Sequence, residues 1–167
     1  DIDYRVTALP EVDESYPDTL SGEEIPLYIS QEKAAAYRRF MKDNTLLITA
    51  DTIVWLDGKV YGKPRDIADA KAMLQALSGK THTVITGVTL TSLQKQISFA
   101  VSTEVTFAAL GDDEIDYYVE TYRPLDKAGA YGVQEWIGYI GVTGLKGSYY
   151  NVMGLPIQRL YTELKKF

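Results

Sequence analysis

Between Ile97 and Phe107 the apolar residues Ile97, Phe99, Val101, Val105 and Phe107 occupy alternate positions, with Ser98, Ser102, Glu104 and Thr106 between them. A period of two puts one kind of side chain on each face of an extended strand, and a helix cannot segregate such a pattern. The segment is expected as a half-buried strand, paired with Thr83 to Thr91. Neighbouring segments change period. Ala70, Met73, Leu74 and Leu77 follow helical spacing, with Asp66 placed to cap the helix and Gly79 to end it. Ile25 to Lys42 reads as another helix, with Pro26 in its first turn and Ile29, Lys33, Ala36, Tyr37 and Phe40 on one stripe. Asp112, Asp113 and Glu114 load a further first turn with the charge its dipole favours, ahead of an inward stripe of Ile115, Tyr118, Val119 and Tyr122. A last helix starts at Pro156 and is expected to bury Ile157, Leu160, Tyr161 and Leu164.

Leu46 to Ala50 is a short apolar run that reaches Asp51, and Ile53 to Leu56 and Lys59 to Gly62 flank Asp57-Gly58, a strong hairpin signal. Strands and helices thus interleave without a linker or low-complexity tract, so one α/β domain over residues 1–167 is expected. The recurrence of Gly138, Gly141, Gly144 and Gly147 is too brief for a collagen repeat and reads as a glycine-tolerant strand and loop.

Composition narrows the chemistry. With 17 basic and 23 acidic side chains the net charge is -6, which disfavours nonspecific nucleic-acid binding. There is no cysteine and one histidine, so thiolate nucleophiles and cysteine- or histidine-rich zinc sites are excluded and any metal must take oxygen ligands. No run of about 18 apolar residues is present, so no membrane partner is expected and a cytoplasmic location follows as the simplest expectation. The chain opens Asp-Ile-Asp-Tyr-Arg, and an incomplete N-terminus is expected.

Asp51 follows an apolar strand, where open α/β sheets place ligands, but the same position suits a turn or capping aspartate. Lys33, on an apolar stripe, either snorkels outward or aims its ammonium into a cleft. Gly58 to Lys63 is one residue short of a P-loop, and Pro64 replaces the magnesium-binding hydroxyl. Asp126 to Gln134 mixes a carboxylate, an ammonium, glycines and an amide, which fits either a solvated loop or recognition of a charged ligand with a polar head. His82 reads as a hydrogen-bonded structural residue.

Five blocks occur in order: Ala50-Asp-Thr-Ile-Val54, Gly62-Lys-Pro64, Leu77-Ser-Gly-Lys-Thr-His82, Asp126-Lys-Ala-Gly-Ala-Tyr-Gly-Val-Gln134 and Gly147-Ser-Tyr-Tyr-Asn-Val-Met-Gly-Leu-Pro156. Together they resemble the Maf family over nearly the whole chain. The resemblance implies an elongated two-lobed fold related to the inosine triphosphatases, with a mixed twisted sheet, flanking helices and a central cleft. It also implies a nucleoside triphosphate pyrophosphatase that cuts between the α- and β-phosphates, uses Mg2+ or Mn2+, and is a homodimer in many members. On the family pattern Asp51 is the catalytic proton acceptor. Glu14 and Asp51 would hold the metal, and Glu14, Lys33, Thr52, Lys63, Lys127 and Gln134 would meet the substrate. Thr52 with Gln134 resembles the dTTP/UTP type, and the family's Ser-x-Ser-Pro-Arg-Arg opening motif is absent, which is read as truncation. House-cleaning of non-standard nucleotides is the implied role. The alternatives are a nucleotide-binding regulator of septum formation without turnover and, more weakly, a phosphate-binding interaction module.

Overall fold

The computed structural model describes residues 2–7 and 12–167. Its elements run α1 (Glu24–Arg38), β1 (Leu47–Leu56), β2 (Lys59–Tyr61), α2 (Ile67–Leu77), β3 (Thr81–Thr91), β4 (Gln96–Phe107), α3 (Asp112–Tyr122), a 3₁₀ turn (Ala128–Ala130), α4 (Trp136–Gly141), β5 (Val142–Lys146), α5 (Tyr149–Val152) and α6 (Ile157–Leu164). Local chemistry accounts for several boundaries. Asp66 accepts a hydrogen bond from the Asp69 N–H at 2.8 Å and starts α2, and Glu114 closes the first turn of α3 by accepting from the Gly111 N–H at 2.8 Å. Asp57 and Gly58 take φ of 51° and 76°, the left-handed pair that a two-residue hairpin requires between β1 and β2.

The five strands form one sheet in the order β2-β1-β3-β4-β5. The α/β class with helices against a sheet stands, but all four pairings are antiparallel where a mixed sheet was expected. The connections explain this: β1 to β2, and β3 to β4, are joined by short turns that reverse the chain. β4 pairs with β3 as its alternation required, and Phe99, Val105 and Phe107 are buried.

One sheet face is covered by α1, where Ile25 and Ile29 pack on Ile53 and Ile85. On the other, Val54, Val84, Val105 and Phe107 meet α2, α3, α4 and the segment around Tyr131. Val88, Leu90 and Phe99 meet α6 through Leu160. Gly87 is what lets α1 approach so closely, because a Cβ there would lie 2.4 Å from the Pro26 backbone.

Several expectations change. β1 runs unbroken from Leu47 to Leu56, so Asp51 is in the middle of a strand rather than beyond the end of one. Pairing with β3 on every residue from Leu47 to Trp55 holds it extended through the polar point. Helix α1 ends at Arg38, and its buried face is Ile25, Pro26, Ile29, Ser30 and Ala34, leaving Phe40 exposed. Small and polar residues serve that face because it lies close on the sheet, with Ser30 hydrogen-bonded to Thr89 at 2.8 Å. Ile157, Tyr161 and Tyr122 are exposed, and Leu160 is the buried residue of α6. His82 is buried, bonded to the Tyr131 hydroxyl at 2.7 Å and flanked edge-on by Phe107, as a structural residue would be.

Candidate active site

Because β2 pairs only with Val54 to Leu56, the outer edge of β1 from Leu47 to Ile53 carries no strand among the described residues. A cleft of about 330 Å³ opens along it. Alternation along β1 assigns Asp51 to the α1 side and Thr52 to the opposite side, so the two consecutive residues serve different parts of one cleft.

On the α1 side four charges form a chain. Lys33 Nζ lies 2.7 Å from Asp51 Oδ1 and 3.0 Å from Glu14 Oε1, and Lys63 Nζ lies 3.0 Å from Glu14 Oε2. Lys33 therefore points into the cleft rather than snorkelling away. Lys33 and Asp51 are shielded, at 20% and 11% side-chain exposure, whereas Lys63 is 55% exposed. Burial pushes the Asp51 carboxyl above the usual carboxylate range, with Lys33 opposing it. Burial also disfavours the Lys33 ammonium, but the Asp51 and Glu14 carboxylates outweigh that and its pKa is raised. At Glu14 burial acts upward, and the two lysines together hold the carboxyl below its ordinary value. The result is a partly desolvated carboxylate whose raised pKa suits it to accept a proton, with the Lys33 ammonium beside it and Lys63 beyond Glu14.

On the other side the cleft is bounded by Thr52, Lys127, Gln134 and Gly154. The Asp126 to Gln134 stretch is a cleft wall rather than a solvated loop, and Gly129 to Val133 are buried within it. The Lys127 ammonium lies 3.1 Å from Asp126 and 3.5 Å from Glu135. Glu135 also accepts from the Tyr118 hydroxyl, whose oxygen accepts from the Gly132 N–H at 3.0 Å. Gln134 is exposed at the cleft, its carbonyl accepting from Tyr139 at 2.9 Å. Six of the seven residues picked from sequence line the cleft, and the seventh, Glu14, bridges Lys33 and Lys63. Sequence reasoning did not single out Asp126, Met153 or Gly154 as site residues, nor Thr86 and Asn151 behind the wall. The Gly147 to Pro156 block held the signal for three of these, since Gly154 has a φ of 109° that favours glycine.

The donor set fits a hard divalent cation. Two carboxylates converge on the Lys33 ammonium, at 2.7 and 3.0 Å, and Mg2+ is commonly held by one or two carboxylates, with water and substrate phosphates completing its shell. No group of three or more acidic or histidine ligands exists among the described residues, and Glu14 and Asp51 are the pair that they bring together here.

A model of the family described as Maf-like protein matches residues 1–167. The chain is 67% identical over 165 residues to the dTTP/UTP pyrophosphatase of Phocaeicola vulgatus, covering 99% of this chain and 86% of that one. It is 63% identical to the protein of the same name from Bacteroides thetaiotaomicron, with the same coverage. Identity to the Flavobacterium psychrophilum dTTP/UTP pyrophosphatase is 48%, over 98% of this chain and 84% of the relative.

Proposed function

The chain belongs to the Maf family, and from that premise we propose that it hydrolyses dTTP and UTP to the nucleoside monophosphate and pyrophosphate. The observation that carries this reading is the Asp51–Lys33–Glu14–Lys63 ion chain on the same cleft as Thr52 and Gln134. It supplies a base and two cations at one end and neutral hydrogen-bonding groups at the other.

A nucleoside triphosphate carries about four negative charges, and an acidic protein must concentrate its cations to hold it. Lys33 and Lys63 do so at the carboxylate end, and Lys127 adds a third ammonium to the cleft wall. Phosphate oxygens would compete with Asp51 and Glu14 for the lysines, leaving the two carboxylates to hold Mg2+ or Mn2+ against the substrate. When bound, that ion would neutralise phosphate charge and lower the pKa of the attacking water. Asp51 accepts the proton of that water, the oxygen bonds to the α-phosphorus, and the bond to the bridging oxygen breaks with pyrophosphate as leaving group. Thr52 and Gln134 face the base, where an amide can both donate and accept, as the O4 and N3–H edge of uracil or thymine requires.

Incubation with dTTP or UTP and Mg2+ in 18O-water tests the reading. Pyrophosphate should appear with one labelled oxygen in the nucleoside monophosphate, whereas orthophosphate release or label in pyrophosphate refutes it. A regulator without turnover would bind the nucleotide and release neither. A homodimer and house-cleaning of non-standard nucleotides rest on the family resemblance, and a cytoplasmic location on the lack of a long apolar run; sedimentation tests the first.

A further inference from the structure

The wall behind Thr52 contains a chain of hydroxyl and carbonyl groups that sets the direction of one hydrogen. Thr52 and Thr86 are cross-strand partners on β1 and β3, with their hydroxyl oxygens 2.9 Å apart. Thr86 is fully buried, and its hydroxyl donates to the Asn151 carbonyl at 3.2 Å. Thr52 also lies 3.5 Å from the Gly154 carbonyl. Carbonyls only accept, and each hydroxyl owns one hydrogen. With Thr86 donating to Asn151, the 2.9 Å contact needs Thr52 as its donor. If that contact is reversed, the Thr52 hydrogen goes to Gly154, at the outer limit of hydrogen bonding. The reversed arrangement would give up the Thr86 to Asn151 bond for a 3.5 Å contact, so the first is favoured: the hydrogen of Thr52 is spent inside the protein and the cleft meets its lone pairs.

The carbonyl that ends the chain is firmly held. Asn151 is fully buried, and the two hydrogens of its side-chain amide are shared among three acceptors spanning β3 and β4, the Val84 and Val101 carbonyls at 3.2 and 3.0 Å and Thr103 Oγ1 at 3.0 Å. Its N–H donates to the Ser148 hydroxyl at 3.2 Å. The polarity of the chain is therefore built into the sheet.

We propose that Thr86, anchored on Asn151, makes Thr52 an obligatory hydrogen-bond acceptor and so selects uracil and thymine, which carry N3–H, over cytosine, whose N3 is a bare acceptor. Thr86 is a positioning residue that never touches the nucleotide. The inference rests on the pyrophosphatase reading above, with Thr52 facing the base edge. Two lone pairs set against each other forfeit a hydrogen bond and leave both groups desolvated, the situation in which polar sites discriminate most strongly.

The test measures kcat/KM for UTP, dTTP and CTP on the wild type, Thr86→Val and Thr86→Ser, with thermal melts to confirm folding. Valine keeps the β-branched shape and removes the hydroxyl, so that the Thr52 hydrogen keeps only the 3.5 Å contact to the Gly154 carbonyl inside the wall and can turn toward cytosine N3. The UTP to CTP ratio should fall about tenfold in Thr86→Val. CTP hydrolysis should rise in absolute terms, the change should lie in KM rather than kcat, and serine should restore the wild-type ratio. Structural damage alone lowers all three substrates together, and an unchanged ratio overturns the inference. Should Thr86→Val not fold, Thr86→Ala answers the same question: its UTP to CTP ratio should also fall about tenfold, and an unchanged ratio overturns the inference. A wild type that releases no pyrophosphate from UTP or dTTP defeats the parent reading. A wild type that prefers UTP to CTP, with a ratio unmoved by Thr86→Val, defeats only this one.

Discussion

Replacing Lys33 by methionine keeps the stem that crosses the apolar edge of α1 and removes the ammonium that Asp51 and Glu14 share. Asp51 is then a carboxylate at 11% side-chain exposure that has lost its 2.7 Å partner. Removing one member of a fully buried pair costs about 3–5 kcal/mol. This pair retains some solvent, so a loss of ~2–3 kcal/mol is expected. For a domain of this size that lowers Tm by roughly 4–12 °C. Lys63→Met provides the contrast. Lys63 is 55% exposed and pairs with the 39%-exposed Glu14, so its loss should cost about 0–1 kcal/mol. The sign of the pH dependence follows from the stranded carboxylate. In Lys33→Met the folded-state pKa of Asp51 rises further above its unfolded value, so the folded state binds the extra proton. The deficit against wild type should shrink as pH falls from 7 toward 5. Urea denaturation of wild type, both single variants and Lys33→Met/Asp51→Asn at pH 7 and pH 5 measures each quantity. The double variant should recover most of the lost stability at pH 7, since the uncompensated charge is gone. Equal stability of the two lysine variants, or a Lys33→Met deficit that neither acid nor Asp51→Asn reduces, refutes the account of the Asp51 environment.

The other predictions concern catalysis, specificity and acid stability. Asp51→Asn keeps the shape and an acceptor for Lys33 but loses the proton acceptor, so pyrophosphate release should fall ~10²–10⁴-fold with near-normal melting; retained turnover at saturating Mg2+ would move the base elsewhere. Gln134→Leu should raise KM for UTP and dTTP more than it lowers kcat, and a kinetic profile identical to wild type removes Gln134 from base recognition. His82, whose pKa burial depresses to about 4, must stay neutral when folded. Its depressed folded value means that stability is fully present above the unfolded pKa near 6.5 and is lost as pH falls from there to about 4, by up to ~3 kcal/mol. Urea curves of His82→Gln, which does not titrate, should lack that component; matching slopes for the two proteins would show that His82 takes up no proton on unfolding.

What the sequence determined alone is what depends on near neighbours. The β4 alternation, the Asp66 cap, the Asp57-Gly58 hairpin and the acidic first turn of α3 are each settled within about four residues, because strand pleat, helix period and turn dihedrals are short-range. The ordered blocks likewise carried the candidates Asp51, Thr52, Lys63, Lys127 and Gln134, since each block keeps its own local spacing, whereas Glu14 and Lys33 lie outside them. Tertiary structure decided what depends on pairing across distance. Whether β1 stops at Asp51 or runs through it is set by its ladder to β3, some 35 residues away. Which face of α1 is buried was set by the close approach at Gly87, and so Lys33 came to meet Asp51, 18 residues distant. The Glu14 bridge to Lys63 joins residues 49 apart, and the bond from Thr86 to Asn151 joins residues 65 apart. A carboxylate or hydroxyl has the same local sequence signature whether it faces solvent, a lysine or a buried carbonyl. Its partner, and hence its charge state and the direction of its hydrogen, exists only once the sheet has brought distant strands into register.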